Sequence, residues 1–480
     1  MEHEKSRSSS AATSQTWTSP STDSEDSLSP FAYLISSIPL PALAALATRI
    51  RCQYSTEDGR EKSYKCTVIQ PPKCGSFNLV YVLEFTDGVK WIARIPATGK
   101  HGQFTQTSLR AIRSEALTML FLRKNTSILI PQIYDFDETT DNELCAPYIL
   151  MEFVTGFPVY EKWFDDTGPT PIEDRRLRIL DTVAAAMAQL GHFQFNKIGS
   201  LQFVPNLSEP TVGQCIVVDE EAALMAFSEG TEAEVRYKKL GPFDSSQEYF
   251  MALASIHKSS QDNFAIGMTR LLKLMIECIP PSIDKKAANV LESFVLVHPD
   301  FDSQNILVSE DGTVTAFIDW DNVQTVPRCI GYNRYPAWIT RDWDPMKYGY
   351  GKPNCQPENS PEELDYYRRH YAEKMKTLLP DNIDFTTKSH LFEAIWIAAS
   401  SPVSADHIVE KIFLHLFPDD VDSDGEDDDD ANTGDEATED TGMRTLTLYE
   451  SAVGLADDTL ENDVRSRIAD AYHRLFSIAV

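Results

Sequence analysis

At 480 residues the chain exceeds the usual reach of one hydrophobic core, so two packed units with tails are expected. Its 42% apolar content is ordinary for a globular protein, but formal net charge is −30, and thirteen carboxylates with no Lys or Arg fall between Asp419 and Asp440. Phosphate affinity rests on clustered Lys and Arg, so nucleic acid and anionic membranes are excluded as partners.

The eight cysteines (Cys52, Cys66, Cys74, Cys145, Cys215, Cys278, Cys329 and Cys355) form no CxxC pair, which argues against a zinc or redox motif and for free thiols. Residues 1–30 are Ser/Thr-rich and too poor in large apolar side chains to repay ordering, so a disordered tail is expected. Their mixed charge reads as neither signal nor transit peptide, and no apolar run reaches the ~18 residues a membrane span needs. A soluble, cytoplasmic protein follows as the expectation.

Compact sequence begins near Phe31, where "FAYLISSIPLPALAALATRI" reads as helical pieces interrupted by Pro39 and Pro41. "CTVIQ", "FNLVYVLEF" and "KWIARIP" are rich in β-branched and aromatic residues, and Thr86-Asp87-Gly88 turns the last two into a hairpin. "QTSLRAIRSEALTMLFLRK" has helical periodicity, with Leu109, Ile112, Ala116, Met119 and Leu120 on one face. Two further strands, "IPQIYDFD" and "PYILMEFV", complete a small α+β lobe over 31–155. From 156 to 480 the pattern is mainly helical, at 172–195, 245–279, 361–379, 388–401 and 462–479. A β-island at 296–321 and an acidic insert at 418–443, expected to be disordered, interrupt it. The insert begins like a calcium loop at Asp420, Asp422, Asp424 and Gly425, but Asp427 and Ala431 stand where an apolar residue and a Glu are required, so a solvated acidic loop is the better reading.

The β-island "LVHPDFDSQNILVSEDGTVTAFIDWD" places chemistry at the ends of apolar strands. Asp311-Gly312 is a hairpin turn, which sets Asn305 across from Ile318, beside Asp319. Asp300 lies one short loop earlier, at the same end. An Asp and an Asn that leave positions open suit Mg²⁺ bound to a nucleotide, and a second, offset Asp suits a hydroxyl that must lose its proton. Taken singly, each acid would as readily close a turn by bonding backbone amides.

"HPDFDSQN" followed by "IDWD" resembles the paired core motifs of the aminoglycoside phosphotransferase-like family, small-molecule relatives of protein kinases, and is closest to fungal members. The resemblance covers roughly Thr67 to Asp344. It implies a bilobal protein-kinase-like fold with a small β-rich lobe and a larger, mainly helical one. It also implies ATP and Mg²⁺ as cofactors, a small-molecule hydroxyl as acceptor, Asp300 as catalytic base, and Asn305 and Asp319 as metal ligands. Gly75, Ser76 and Asn78 then resemble a reduced phosphate loop, Arg94 the strand-borne phosphate cation, and Glu115 the acid that holds it. Glu152 to Val154 resemble the hinge that meets adenine. His298 resembles a structural hydrogen-bonder.

Pro299 replaces the Arg of protein kinases, Trp320 and Asp321 replace Phe and Gly, and no A-P-E follows, so a peptide platform is missing and a small acceptor is favoured. Asp321, Asp342 and Asp344, interleaved with Trp320, Trp343 and Tyr348, suggest a pocket for a cationic or sugar-like alcohol. The alternative is a catalytically silent nucleotide-binding module acting through its tails, with a protein partner for the acidic insert.

Overall fold

The computed structural model describes residues 31–55, 63–75, 77–97, 105–204, 209–218, 237–256, 262–283, 291–353, 355–380, 383–418 and 446–478. The tail at 1–30, the calcium-like motif and the rest of the acidic insert beyond residue 418, and Ser76 lie outside them.

Two helices open the chain, α1 (Ala32–Ser37) and α2 (Leu40–Ser55). Pro39 separates them as expected. Pro41 does not interrupt; it sits in the first turn of α2, where a backbone N–H has no intrahelical partner to lose. There follow β1 (Cys66–Cys74), β2 (Asn78–Phe85), β3 (Lys90–Pro96), α3 (Gln106–Asn125), β4 (Ile133–Asp137) and β5 (Tyr148–Glu152). The five strands form one antiparallel sheet in the order β1-β2-β3-β5-β4. Alternation along β2 buries Leu79, Tyr81, Leu83 and Phe85 with Trp91, Ala93 and Ile95 against Leu43, Leu46 and Ala47 of α2. On the sheet's other side, Ile112, Ala116, Met119 and Leu122 of α3 pack with Ile149 and Met151.

Beyond Glu152 come β6 (Phe157–Pro158), α4 (Val159–Trp163), α5 (Ile172–Ala188), β7 (Gln194–Phe195), β8 (Gly199–Gln202), β9 (Thr211–Val212), β10 (Cys215–Val218) and β11 (Tyr237–Leu240). The stretch expected as one long helical region after Ser245 is two helices, α6 (Ser246–Ala254) and α7 (Asn263–Glu277), each with its own side-chain cap, Ser245 and Asp262. Then follow β12 (Phe294–Leu296), β13 (Ile306–Val308), β14 (Val314–Phe317) and β15 (Gln324–Val326), and last α8 (Pro361–Leu378), α9 (Ile383–Ser400), α10 (Ala405–Leu416), α11 (Leu448–Ala456) and α12 (Asn462–Phe476). This half carries more strand than its sequence suggests: β7, β12, β15, β8 and β9 form a second sheet, and β14, β13 and β6 a third. The fold is α+β and bilobal, with helices dominating the larger part.

The segment leaving the small lobe is stitched to the β-island, since Leu307 pairs with Pro158 and Val308 with Phe157. A Cβ on Gly156 would lie 2.6 Å from Thr315 Oγ1 and 3.2 Å from the Val308 carbonyl, so the close approach of linker and hairpin requires glycine.

Candidate active site

The β13–β14 hairpin closes through 309–313, one residue longer on its β14 side than a plain two-residue turn, with Gly312 at φ +83° and a register shift between Leu307 and Val308. Asp311 locks the loop by accepting from Ser309 Oγ (2.6 Å) and the Thr313 N–H (3.1 Å), bonds that hold its carboxyl down at about 2. Ile306 pairs with Phe317, and the Ile318 N–H donates to the Asn305 carbonyl at 2.9 Å. Asn305 and Asp319 therefore leave the open end side by side, as the spacing predicts.

Asp300 joins them there. Asn305 is buried and donates through Nδ2 to the Asp300 carbonyl (2.9 Å) and to its Oδ2 (2.7 Å), while Gln304 Nε2 donates to the same Oδ2 (2.9 Å). Asp300 itself is exposed, so its carboxylate is steered from beneath and open above. Asp302 braces the loop, accepting from Arg341 Nη2 at 3.0 Å. His298 lies wholly inside; its Nε2–H donates to the Ile318 carbonyl at 3.0 Å, and burial pushes its pKa to about 4, so it is neutral and structural.

Arg94 crosses the cleft. Its Nη1 pairs with Glu115 of α3, and its Nη2 meets Asp319 Oδ1 at 2.7 Å. With the Asn78 amide oxygen turned toward the guanidinium, Asn78 also accepts from Nε (3.1 Å) and Nη2 (2.6 Å). The expected Arg94–Glu115 pair thus forms, and Asn78 belongs to the cation's setting. Asp319 takes up φ +62°, a left-handed conformation that Asp tolerates better than most residues at a cost of about 1–3 kcal/mol. Its other carboxylate oxygen has no hydrogen-bond partner among the described residues. Asn305 spends its NH₂ on Asp300, which leaves its amide oxygen as the free end. One carboxylate oxygen and one amide oxygen make a hard, open donor set that fits Mg²⁺. Among the described residues no three His, Cys, Asp or Glu side chains gather into a closed metal cage.

A family model described as "Phosphotransferase enzyme family" (APH) matches residues 68–330, over half of the chain. The chain belongs to that family. Among curated relatives, the "Altered inheritance of mitochondria protein 9, mitochondrial" of Clavispora lusitaniae is 23% identical over 306 residues, 55% of this chain and 49% of its own. A subtelomeric hrmA-associated cluster protein of Aspergillus fumigatus is 32% identical over 133 residues, 28% of this chain and 24% of its own. The chain spans about half or less of the length of these relatives. Among solved structures, a Ralstonia eutropha protein assigned as an aminoglycoside phosphotransferase superimposes with a TM-score of 0.42 at 13% identity, covering 92% of this chain and 98% of that one. Family membership rests on the sequence match, because so loose a superposition adds nothing to it.

The curated relatives correct one expectation. Several are named as mitochondrial proteins, which overturns the cytoplasmic assignment. That assignment rested on the mixed charge of residues 1–30 and on the lack of a long apolar run, neither of which names a compartment. In the Gly75 turn, the Gly75 N–H donates to the Asn78 carbonyl at 2.9 Å. In the hinge stretch, the Glu152 N–H donates to the Gln132 carbonyl (2.8 Å) and the Phe153 N–H to that of Lys90 (3.3 Å), while Val154 has backbone groups without partners among the described residues.

The suggested acidic and aromatic pocket does not form. Asp342 is buried on Arg368 (2.7 Å), Asp344 accepts from the Met346 N–H (3.2 Å), and Trp320 is buried with its indole N–H on the Phe317 carbonyl (2.9 Å). Only Asp321 faces the site, in a small hollow with Asn78, Arg94 and Glu115; burial raises its pKa and Arg94 draws it back down. Sequence reading missed the Asp302–Arg341 brace and the contact of Asn78 with Arg94, since both arise from how separate elements pack and leave no local pattern.

Proposed function

We propose that this chain is an ATP-dependent phosphotransferase that moves the γ-phosphate to a hydroxyl of a small molecule. One observation carries the reading: Arg94 joins Glu115 of the small lobe to Asp319 of the hairpin, at the end where Asn305 holds Asp300. In it, Asp300 orients the acceptor hydroxyl and takes its proton, while Arg94, held by Glu115 and Asn78, grips phosphate oxygens. Asn305 and Asp319 would hold Mg²⁺, which when bound neutralises charge on the phosphates. Gly75 and Ser76 would border the phosphates, and the backbone from Glu152 to Val154 would meet adenine, chiefly through Val154. The proposed lobes are 31–155 and 156–480, divided at the linker before Gly156.

A silent nucleotide-binding module draws support from the Gly75 N–H, which is already engaged. One experiment separates the readings. Full-length protein is titrated with Mg-ATP by calorimetry and assayed for slow hydrolysis and for transfer to an alcohol library, beside Asp300→Ala and Asp319→Ala. Binding with turnover that both variants lose supports transfer. Binding without turnover on any alcohol supports the silent module. No nucleotide binding defeats both.

A further inference from the structure

A second cavity, of about 310 Å³, lies where α3 of the small lobe meets β8, β10 and β11 of the larger one, and the hairpin residues Asp300, Asn305 and Asp319 are not in its wall. Three cationic side chains line it, Arg110 and Arg113 from α3 and Lys239 from β11, in a chain of net charge −30. Arg113 spends Nη1 on Glu138 at 2.7 Å, whereas Arg110 and Lys239 form no ion pair among the described residues. Ser200 of β8 belongs to the same wall; it is only 6% exposed, and its hydroxyl is buried with no hydrogen-bond partner among the described residues. Phe203 and Ile216 add apolar surface. The two lobes are tied to each other at this cavity, because Ser114 Oγ, also in the lining, donates to the Leu201 carbonyl at 2.7 Å.

A hydroxyl buried without a partner has lost its water and gained no bond in exchange, so a ligand oxygen that accepts from Ser200 Oγ removes that penalty. The guanidinium of Arg110 and the ammonium of Lys239 favour the same kind of ligand: an oxyanion, which the first meets with paired N–H donors and the second as a point charge. Phe203 and Ile216 favour a carbon body behind that oxyanion. The volume falls at the lower end of the range of about 300–1,000 Å³ usual for small-molecule sites. We propose that this cavity is a second ligand site, for a small organic anion. Its charged end, a phosphate monoester or carboxylate, sits among Arg110, Lys239 and Ser200, and its apolar body lies on Phe203 and Ile216. Such a ligand touches both lobes at once. The proposal goes beyond the phosphotransferase reading and does not depend on it.

The test titrates full-length protein by calorimetry with 2-naphthyl phosphate, inorganic phosphate and 2-naphthalenemethanol. The ring phosphate is expected to bind at least about tenfold tighter than either of the others, since it alone offers both a charge-assisted contact and apolar area. Millimolar Mg-ATP should leave its Kd unchanged. Arg110→Gln combined with Lys239→Gln, both at exposed positions, should weaken the ring phosphate about tenfold or more, and Ser200→Ala should weaken it in the same direction. Arg110→Lys with Lys239→Arg keeps both charges and should retain most of the affinity, which separates loss of charge from loss of fold. Displacement of the ring phosphate by Mg-ATP would place it at Arg94 and overturn the proposal. So would its failure to bind, an affinity unchanged in the charge-removing double variant, or equally tight binding of naphthalenemethanol or inorganic phosphate. None of these results bears on Mg-ATP turnover, so the phosphotransferase reading stands or falls separately.

Discussion

Asp300 Oδ2 receives amide hydrogens from Asn305 and Gln304, so the carboxylate is held in one orientation by its own loop. Asp300→Asn keeps the volume and removes the proton acceptor. On the proposed assignment, it is expected to lower kcat for transfer by about 10²- to 10⁴-fold, as loss of a positioned base does, with little change in Kd for Mg-ATP; loss of nucleotide affinity instead would assign Asp300 another role. His298 makes a separate statement about pH. Burial lowers its pKa from 6.5 to about 4, so between those values the unfolded chain carries a proton that the folded chain refuses. Stability is then fully present above about pH 6.5 and falls as pH drops toward 4, by up to about 1.4 kcal/mol per pH unit. His390, likewise pushed down by burial, to about 3, acts in the same direction. Urea midpoints measured across that window should fall less steeply for His298→Asn than for the parent, and equal slopes would clear His298 of the effect. At this scale the sequence was legible where spacing is short. Asp300, Asn305 and Asp319 lie within one hairpin, and Arg94 and Glu115 on consecutive elements. The Arg94–Asp319 bond, between residues 225 positions apart, follows only from how the two lobes meet.

Between elements, the tightest point is the linker. Gly156→Ala would place a methyl group 2.6 Å from Thr315 Oγ1 and 3.1 Å from Leu307 Cβ, forcing β6 off the hairpin. A loss of about 1–3 kcal/mol is expected, typical of overpacking at a well-packed site. Thr315→Ala in the same chain should recover part of it, and simple additivity in that double-mutant cycle would place the strain elsewhere. Long elements announced themselves. The alternation of β2 and β3 and the helical period of α3, α5 and α8 are where the chain put them. The strands β7, β8, β9, β12 and β15 were invisible because two to four residues hold no period, and only their partners from distant sequence make them strands.

Across the whole molecule, Ile112 and Ala116 of α3 and Ile149 of β5 share one continuous core with Val295, Phe317 and Trp320 of the larger lobe. The lobes are thus expected to unfold together in one calorimetric transition, and two resolved transitions would contradict this. On the proposed function, Mg-ATP at about 100 times its Kd should add about 2.7 kcal/mol to the folded state, seen as a rise in Tm, with a smaller gain when EDTA is present. Lobe count and order could be read from the switch in hydrophobic period near Gly156, but the cellular address could not, being a matter of recognition and not of packing. One consequence remains in Arg94. Its guanidinium is shared between an acid it keeps, Glu115, and one it can relinquish, Asp319. On the proposed assignment, a triphosphate that claims part of this guanidinium leaves Asp319 wanting another cation, and a divalent ion that claims Asp319 releases the guanidinium for phosphate. Each ligand then raises the affinity for the other by an identical factor, whichever arrives first.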